Sequence, residues 1–394
     1  MRGAGRAPST LEGEERWARV AWAFLAEPRD IAVTRRVAEV GAVEALARLR
    51  RERDVLATDG GSRRSGGLDG LVVRLPELDL DGLAHATRAT GVRVLVPGDD
   101  EWPAGLDRLG QAPYCLFVRG TGNVAELAER SVAVVGSRAA TEYGLRVAAD
   151  LGEGLAGRGF TVVSGAAYGI DSAAHRAALA VGGPTVAVLA CGADRAYPTA
   201  HRGLLDRIAD AGAVVSEVPV GCAPFRSRFL ARNRIIAALG RATVVVEANL
   251  RSGSLTTAKE ARLLHLPVGA VPGPVTSMTS AGCHALVREL DAVLVTDAGE
   301  VAELAGRMGE DLAPGPGARS VEPRPGDDLD EESYRVWSVV PVGHGADVDR
   351  IASACGVEPR RVVGILATLE AEGIVRREAG QWRKKPAPHA RSAC

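Results

Sequence analysis

Lysine is almost missing from this 394-residue chain: Lys259, Lys384 and Lys385 are the only three, and nearly all positive charge is arginine. That skew reads as a coding bias across a genome, so no single arginine counts as chosen for phosphate. Clusters of arginine keep their weight. An excess of either sign is missing too, with 48 Lys and Arg against 49 Asp and Glu and a net charge of −1. Any attraction to a polyanion must therefore be local. The six cysteines (Cys115, Cys191, Cys222, Cys283, Cys355 and Cys394) include no Cys-x-x-Cys pair, which argues against structural zinc and against a disulfide framework. Walker A is absent, because Lys259 follows Ala258 rather than Gly, and a P-loop ATPase is excluded. No apolar run reaches transmembrane length without charge, and no repeat of fixed period divides the chain. The expectation is a cytosolic protein with no membrane partner, no bound metal and no cofactor.

What is present is enough for two or three domains, at an apolar content of 46% that is ordinary for globular chains. Residues 1–57 read as a helical module, with Trp17, Val20, Ala21, Phe24 and Leu25 at helical spacing and Pro28 breaking the pattern. A Gly/Ser-rich linker over 58–71 follows, then an αβ core over 72–310 and a Pro/Gly linker over 311–329. Residues 330–385 read as three helices and a hairpin. Val336 and Val340, Ile351 and Ala352, and Val362, Leu366 and Leu369 supply their core faces, and Gly380 turns the hairpin. This is a winged-helix pattern with a short tail over 386–394. Arg360 and Arg361 would begin its reading helix, and Arg376, Arg377, Arg383, Lys384 and Lys385 would track a nucleic-acid backbone. Glu370 and Glu372 on the same helix weigh toward a protein partner instead.

The densest chemistry lies in Phe225 to Ile236. Arg226, Arg228, Arg232 and Arg234 surround Phe229, and no acidic residue occurs between Gly221 and Val246. Guanidinium groups fork onto phosphate oxygens, and an aromatic face gives an unpaired base somewhere to stack. The strand patterns Ala213–Ser216 and Ala242–Glu247 flank the segment, which predicts a place at the ligand-binding edge of a parallel sheet. Three Gly/Ser turns should join it there. One is Gly136-Ser-Arg138 before a helix starting near Thr141, one is Ser164-Gly165 before a helix through His175, and one is Ser252-Gly253 after Glu247. A strand–Gly–helix junction aims backbone N–H groups at an anion.

Together these segments resemble the DprA/Smf family of single-stranded DNA binders. The resemblance rests on Val134-Val-Gly-Ser-Arg-Ala-Ala-Thr-Glu-Tyr-Gly144, Val163-Ser-Gly-Ala-Ala-Tyr-Gly-Ile-Asp-Ser-Ala-Ala-His175, Ser216-Glu-Val-Pro219, Arg232-Asn-Arg-Ile-Ile236, Ser252-Gly-Ser-Leu-Thr-Thr-Ala258 and Ala270-Val-Pro-Gly273. It spans roughly Arg93 to Val301. It implies an α/β fold with a Rossmann-like parallel-sheet core, a SAM-like helical module before it and a winged helix after it. It also implies a homodimer that coats incoming single-stranded DNA during natural transformation or recombination and passes it to the RecA recombinase. Ser-Gly-Ala-Ala departs from the family's Ser-Gly-Leu-Ala, and Arg226 stands where lysine is frequent. The DNA-binding set expected here is Gly136, Ser137, Arg138, Ser164, Gly165, Arg226, Phe229, Arg232, Asn233, Ser252 and Gly253.

Other readings are weaker. Gly152-Glu-Gly-Leu-Ala-Gly157 matches the dinucleotide fingerprint by letter but closes a helix and precedes a strand, the reverse of the required order. Asp171 and His175, at i and i+4, read as a helix-start hydrogen bond before a metal site. Glu217 and Glu247 could cap helices, order arginines or act as acid–base carboxylates. The last option keeps an enzyme alternative, since the core also resembles nucleotide phosphoribohydrolases of the lysine-decarboxylase-like group. Their Pro-Gly-Gly-x-Gly-Thr loop has only Pro272-Gly-Pro274 as a counterpart here. A binding protein without covalent chemistry is the expectation.

Overall fold

Short runs of valine and alanine bounded by glycine and polar residues build the sheet, because β-branched side chains suit a pleated surface buried on both faces. The computed structural model describes residues 10–58, 69–307, 309–313, 329–342 and 344–385. Most of both expected linkers, the tail over 386–394 and Cys394 lie outside them. Nine strands form one sheet: β1 (Arg93–Leu95), β2 (Leu116–Arg119), β3 (Ser131–Val135), β4 (Thr161–Ser164), β5 (Thr185–Leu189), β6 (Ala213–Ser216), β7 (Ala242–Val245), β8 (Val268–Ala270) and β9 (Val293–Leu294). Their order is β1-β2-β6-β5-β4-β3-β7-β8-β9. Strand β2 pairs antiparallel with both β1 and β6, and every other pairing is parallel. All residues of β3 to β7 are buried. The α/β class and the parallel core agree with the sequence.

Strand β3 is the pivot. The chain moves outward from it through β4, β5 and β6 on one side, then returns to its other side with β7, so Val132 pairs with Val162 and with Ala242. Crossovers that diverge between β3 and β7 leave a crevice beyond their carboxyl ends.

Helices before and within the core are α1 (Thr10–Leu25), α2 (Ile31–Val40), α3 (Ala42–Thr58), α4 (Asp69–Arg74), α5 (Leu80–Ala89), α6 (Val124–Glu129), α7 (Glu142–Gly157), α8 (Ile170–Ala180), α9 (Arg202–Ala211), α10 (Arg226–Leu239), α11 (Ser254–Leu263), α12 (Ala281–Glu289) and α13 (Ala298–Ala305). Glycines 152, 154 and 157 close α7, as their order relative to the strand demanded. The N-terminal helices lie in the same compact unit as the sheet, residues 1–313. Trp22 is fully buried and its indole N–H donates to Ala42 O at 3.0 Å. Leu25, Leu46 and Leu49 share a core with Leu71, Leu75 and Tyr114, while Val20 and Ala23 pack into the cluster holding Phe117 and Leu205. The helices before residue 58 thus pack in one compact unit with the sheet, and most of the expected linker over 58–71 lies outside the described residues.

The second unit, residues 314–394, contains α14 (Glu331–Val339), α15 (Val348–Cys355), α16 (Pro359–Ala371) and a hairpin of β10 (Val375–Glu378) and β11 (Gln381–Lys384). Val336, Ile351, Val362, Leu366, Leu369 and Trp382 share its core. Among the described residues no helix is long and apolar enough to cross a membrane.

Candidate nucleic-acid interface

A groove of about 800 Å³ opens at the crevice between β3 and β7. The turn after β3 lines it with Gly136, Ser137 and Arg138, and the turn after β7 with Asn249, Arg251, Ser252 and Gly253. Tyr197, from the loop after β5, joins Arg226, Phe229, Arg232 and Asn233 of α10. Nine of the eleven residues expected from the sequence thus meet in one place.

Helix α10 is buried along most of its length, so its four arginines need different partners. Arg226 stays exposed and forms no salt bridge among the described residues. Arg228 turns away, and its Nε and Nη2 donate to the two carboxylate oxygens of Glu27 at 2.8 and 2.7 Å. Arg234 makes a buried bidentate pair with Glu217 at 3.0 and 2.5 Å. Glu217 therefore orders an arginine, one of its three foreseen roles. Arg232 forms the floor: it is 6% exposed and its Nη1 donates to Val188 O at 2.7 Å. Burial pushes its pKa down to about 10, against the pull of Asp171 beside it. It stays charged at neutral pH and adds positive potential without reaching outward.

Asp171 is the one carboxylate among the lining residues. Burial raises its pKa, opposed first by Arg232 and then by the N–H groups of Ala167 and Gly165, at 3.4 and 3.1 Å. Its charge is spent on the loop and on Arg232, so the groove surface remains cationic. His175 takes no part in this: its Nδ1 lies 2.6 Å from Thr185 Oγ1, whose proton goes to Val162 O, so Nδ1 carries the hydrogen. Burial drives its pKa down to about 3 and keeps it neutral. The metal reading has no support, and among the described residues no group of His, Cys, Asp and Glu is placed to hold an ion.

The two expected residues missing from the groove have structural posts. Ser164 is fully buried and its hydroxyl donates to Val134 O at 2.6 Å. A Cβ on Gly165 would collide with the Arg232 guanidinium, so this glycine makes room for arginine rather than for a ligand.

The anion site expected at the strand–Gly–helix junction after β3 is already filled. Ser137 N–H donates to Glu247 O at 2.7 Å. The Glu247 carboxylate accepts from Thr141 N at 2.9 Å and Thr141 Oγ1 at 2.6 Å, closing the start of α7. Thr279 Oγ1 adds a third bond at 3.2 Å, and Gly144 leaves the space the carboxylate occupies. Glu247 is thus a cap with its oxygens engaged, which removes the support for an acid–base role.

One helix end is less engaged: the N-cap of α10 is Phe225, which offers no side-chain acceptor. At α11, by contrast, Ser252 Oγ takes the amide of Ser254 at 3.3 Å, and the carbonyls of Ser252 and Gly253 take those of Leu255 and Thr256 at 3.3 and 3.1 Å. The first turn of each borders the groove, through Arg226 and through Ser254 and Thr257. A Cβ on Gly253 would meet nothing within 4 Å, so this loop is open to an approaching backbone. Asn233 ties the two walls together by donating from Nδ2 to Gly253 O at 3.1 Å.

An aromatic pair stands at the other side. The Phe229 and Tyr197 rings lie 5.5 Å apart at 53°, and the Arg138 guanidinium sits 5.0 Å above Phe229. Sequence reasoning missed Tyr197, which lies far upstream of Phe229, and Arg251, which sits directly before a motif already singled out.

The family model for DNA recombination-mediator protein A matches residues 93–306. A Mycobacterium tuberculosis protein that bears the name DNA processing protein DprA provisionally is 46% identical, over 92% of this chain and 93% of its own. DNA processing protein DprA of Streptococcus pneumoniae is 43% identical over 52% of this chain and 71% of its own. The X-ray structure of the pneumococcal protein superposes with a TM-score of 0.61 at 32% identity, over 75% of this chain and 98% of that one. With its core matched and a relative aligned along nearly its whole length, the chain belongs to the DNA recombination-mediator protein A family, DprA/Smf.

Proposed function

We propose that the first unit binds single-stranded DNA without sequence preference, in the groove between β3 and β7. One observation carries this. Arg138, Arg226 and Arg251 line one groove with an aromatic pair, and Asp171, the one carboxylate among its lining residues, is already engaged. Phosphates lie along the arginines and the start of α10, while a splayed base stacks beside Phe229 and Tyr197. No covalent step is assigned. The recombination-mediator name of the family and the processing name of its relatives support a role in handing the strand to a RecA-type recombinase; a homodimer in the cytoplasm completes the proposal. For residues 330–385 the element order supports a winged helix.

A gel shift with single-stranded and duplex DNA of one length tests the groove. The single strand should be retarded at clearly lower protein concentration, because stacking needs an unpaired base. Equal or stronger retardation of the duplex would overturn the assignment.

A further inference from the structure

Both walls of the groove are tied to one short loop of the N-terminal helices. Residues 26–30 join α1 to α2, and two neighbouring side chains in this loop reach different walls. Glu27 takes Arg228 on the first turn of α10, one residue before Phe229. Arg228 is held further by its bond to Ala223 O at 2.9 Å and lies 4.8 Å over the ring of Phe225, which precedes the helix. Arg29 Nη1 reaches Glu260 Oε1 on α11 at 2.6 Å. Arg29 adopts a φ of 70°, a left-handed conformation that is costly for any residue with a Cβ. A strained backbone persists where the surroundings insist on it, and it turns this side chain toward the core. Arg74 adds to the anchorage, with Nη1 donating to Leu25 O at 3.0 Å and Nη2 3.6 Å from Glu27.

We propose that this loop braces the groove, with Glu27 and Arg29 as positioning residues that hold α10 and α11 at the separation a single DNA strand requires. The proposal rests on the binding assignment above. It gives the helical module a role in binding although no residue of the module lines the groove. Glu27 and Arg29 touch no DNA. Losing either lets one wall drift, so Arg226 and Phe229, or the Gly253 loop, no longer meet the strand together.

The test uses the full chain and a fluorescein-labelled oligothymidylate, well below the melting temperature. Glu27→Gln and Arg29→Gly should each weaken binding by about tenfold, equivalent to about 1.4 kcal/mol. The salt slope should fall by at most roughly 0.7, one phosphate contact on a single strand, because the wall that drifts takes its arginine with it. Arg29→Gly is the discriminating variant. Glycine relieves the left-handed backbone and offsets the lost ion pair, so its melting temperature should stay close to wild type while affinity falls. Wild-type affinity in both variants overturns the brace. A wild-type protein that ignores the oligothymidylate overturns the binding assignment instead. Amide exchange of residues 226–230 in DNA-free Glu27→Gln then decides the brace: faster exchange supports it, and unchanged exchange overturns it.

Discussion

Phe229 cannot act alone, because Arg138 lies over its ring and Tyr197 stands beside it. A base that stacks on the covered face must take the place of the guanidinium, which then moves to a phosphate. Charge and stacking at this point are separable. Arg226 and Phe229 are three residues apart on α10 and share a face. Arg226→Ala should weaken binding and lower the salt slope by roughly 0.7, one phosphate contact on a single strand. Phe229→Ala should cost about 1–3 kcal/mol of binding and leave the slope nearly unchanged, since stacking releases no counterions. Salt titrations of both variants, with thermal melts, check this. A core phenylalanine would lose roughly 3–5 kcal/mol of stability on truncation. A melting drop of that size, together with an unaltered slope for Arg226→Ala, would remove the groove's two outward residues from the mechanism.

At the scale of elements, helix ends decide which anions the fold can take. Helix α7 follows β3 as the first helix of a dinucleotide-binding unit would, yet its start is occupied by the protein's own Glu247. The turn Gly136-Ser-Arg-Ala-Ala also lacks the second and third glycines that admit a pyrophosphate. Calorimetric titration with NADH at millimolar concentration should give no saturable heat. Saturable binding would mean that Glu247 yields its place, and the capped helix end would need another explanation. Helix α10 keeps an end without a side-chain cap beside the arginines, so the same physics favours a phosphate there.

For the whole molecule, the three Gly/Ser turns and the arginines of α10 all lie between Leu71 and Leu312, so sequence position alone makes that fragment competent for single-strand binding. The structure moves the start of the competent fragment. Cutting at Leu71 removes Trp22, Leu25, Leu46 and Leu49 from the cluster they share with Leu75 and Tyr114. It also leaves Arg228 and Glu260 without their partners. Residues 1–313 should fold and bind a single strand nearly as well as the full chain, measured by the same gel shift and a thermal melt. Loss of most affinity in that folded fragment would transfer the main site to residues 330–385.

The sequence by itself determined the α/β class, the parallel core with its strand patterns at 213–216 and 242–247, and the expectation that Gly136, Arg138, Arg226, Phe229 and Gly253 share one sheet edge; the strand order around β3 came only with the structure. Valine runs, glycine turns and helix spacing are local, and right-handed crossovers bring parallel strand ends to one edge. Sequence could not tell the four arginines of α10 apart. That distinction depends on Glu27, Glu217 and Asp171, which arrive from distant parts of the chain. Nor could it show that Gly165 clears space for a guanidinium, that Tyr197 stands beside Phe229, or that Glu247 takes the anion's place on α7. Each of these is a contact between side chains remote in sequence, and only the packed tertiary structure decides which charge is spent inside the fold and which remains free for a ligand.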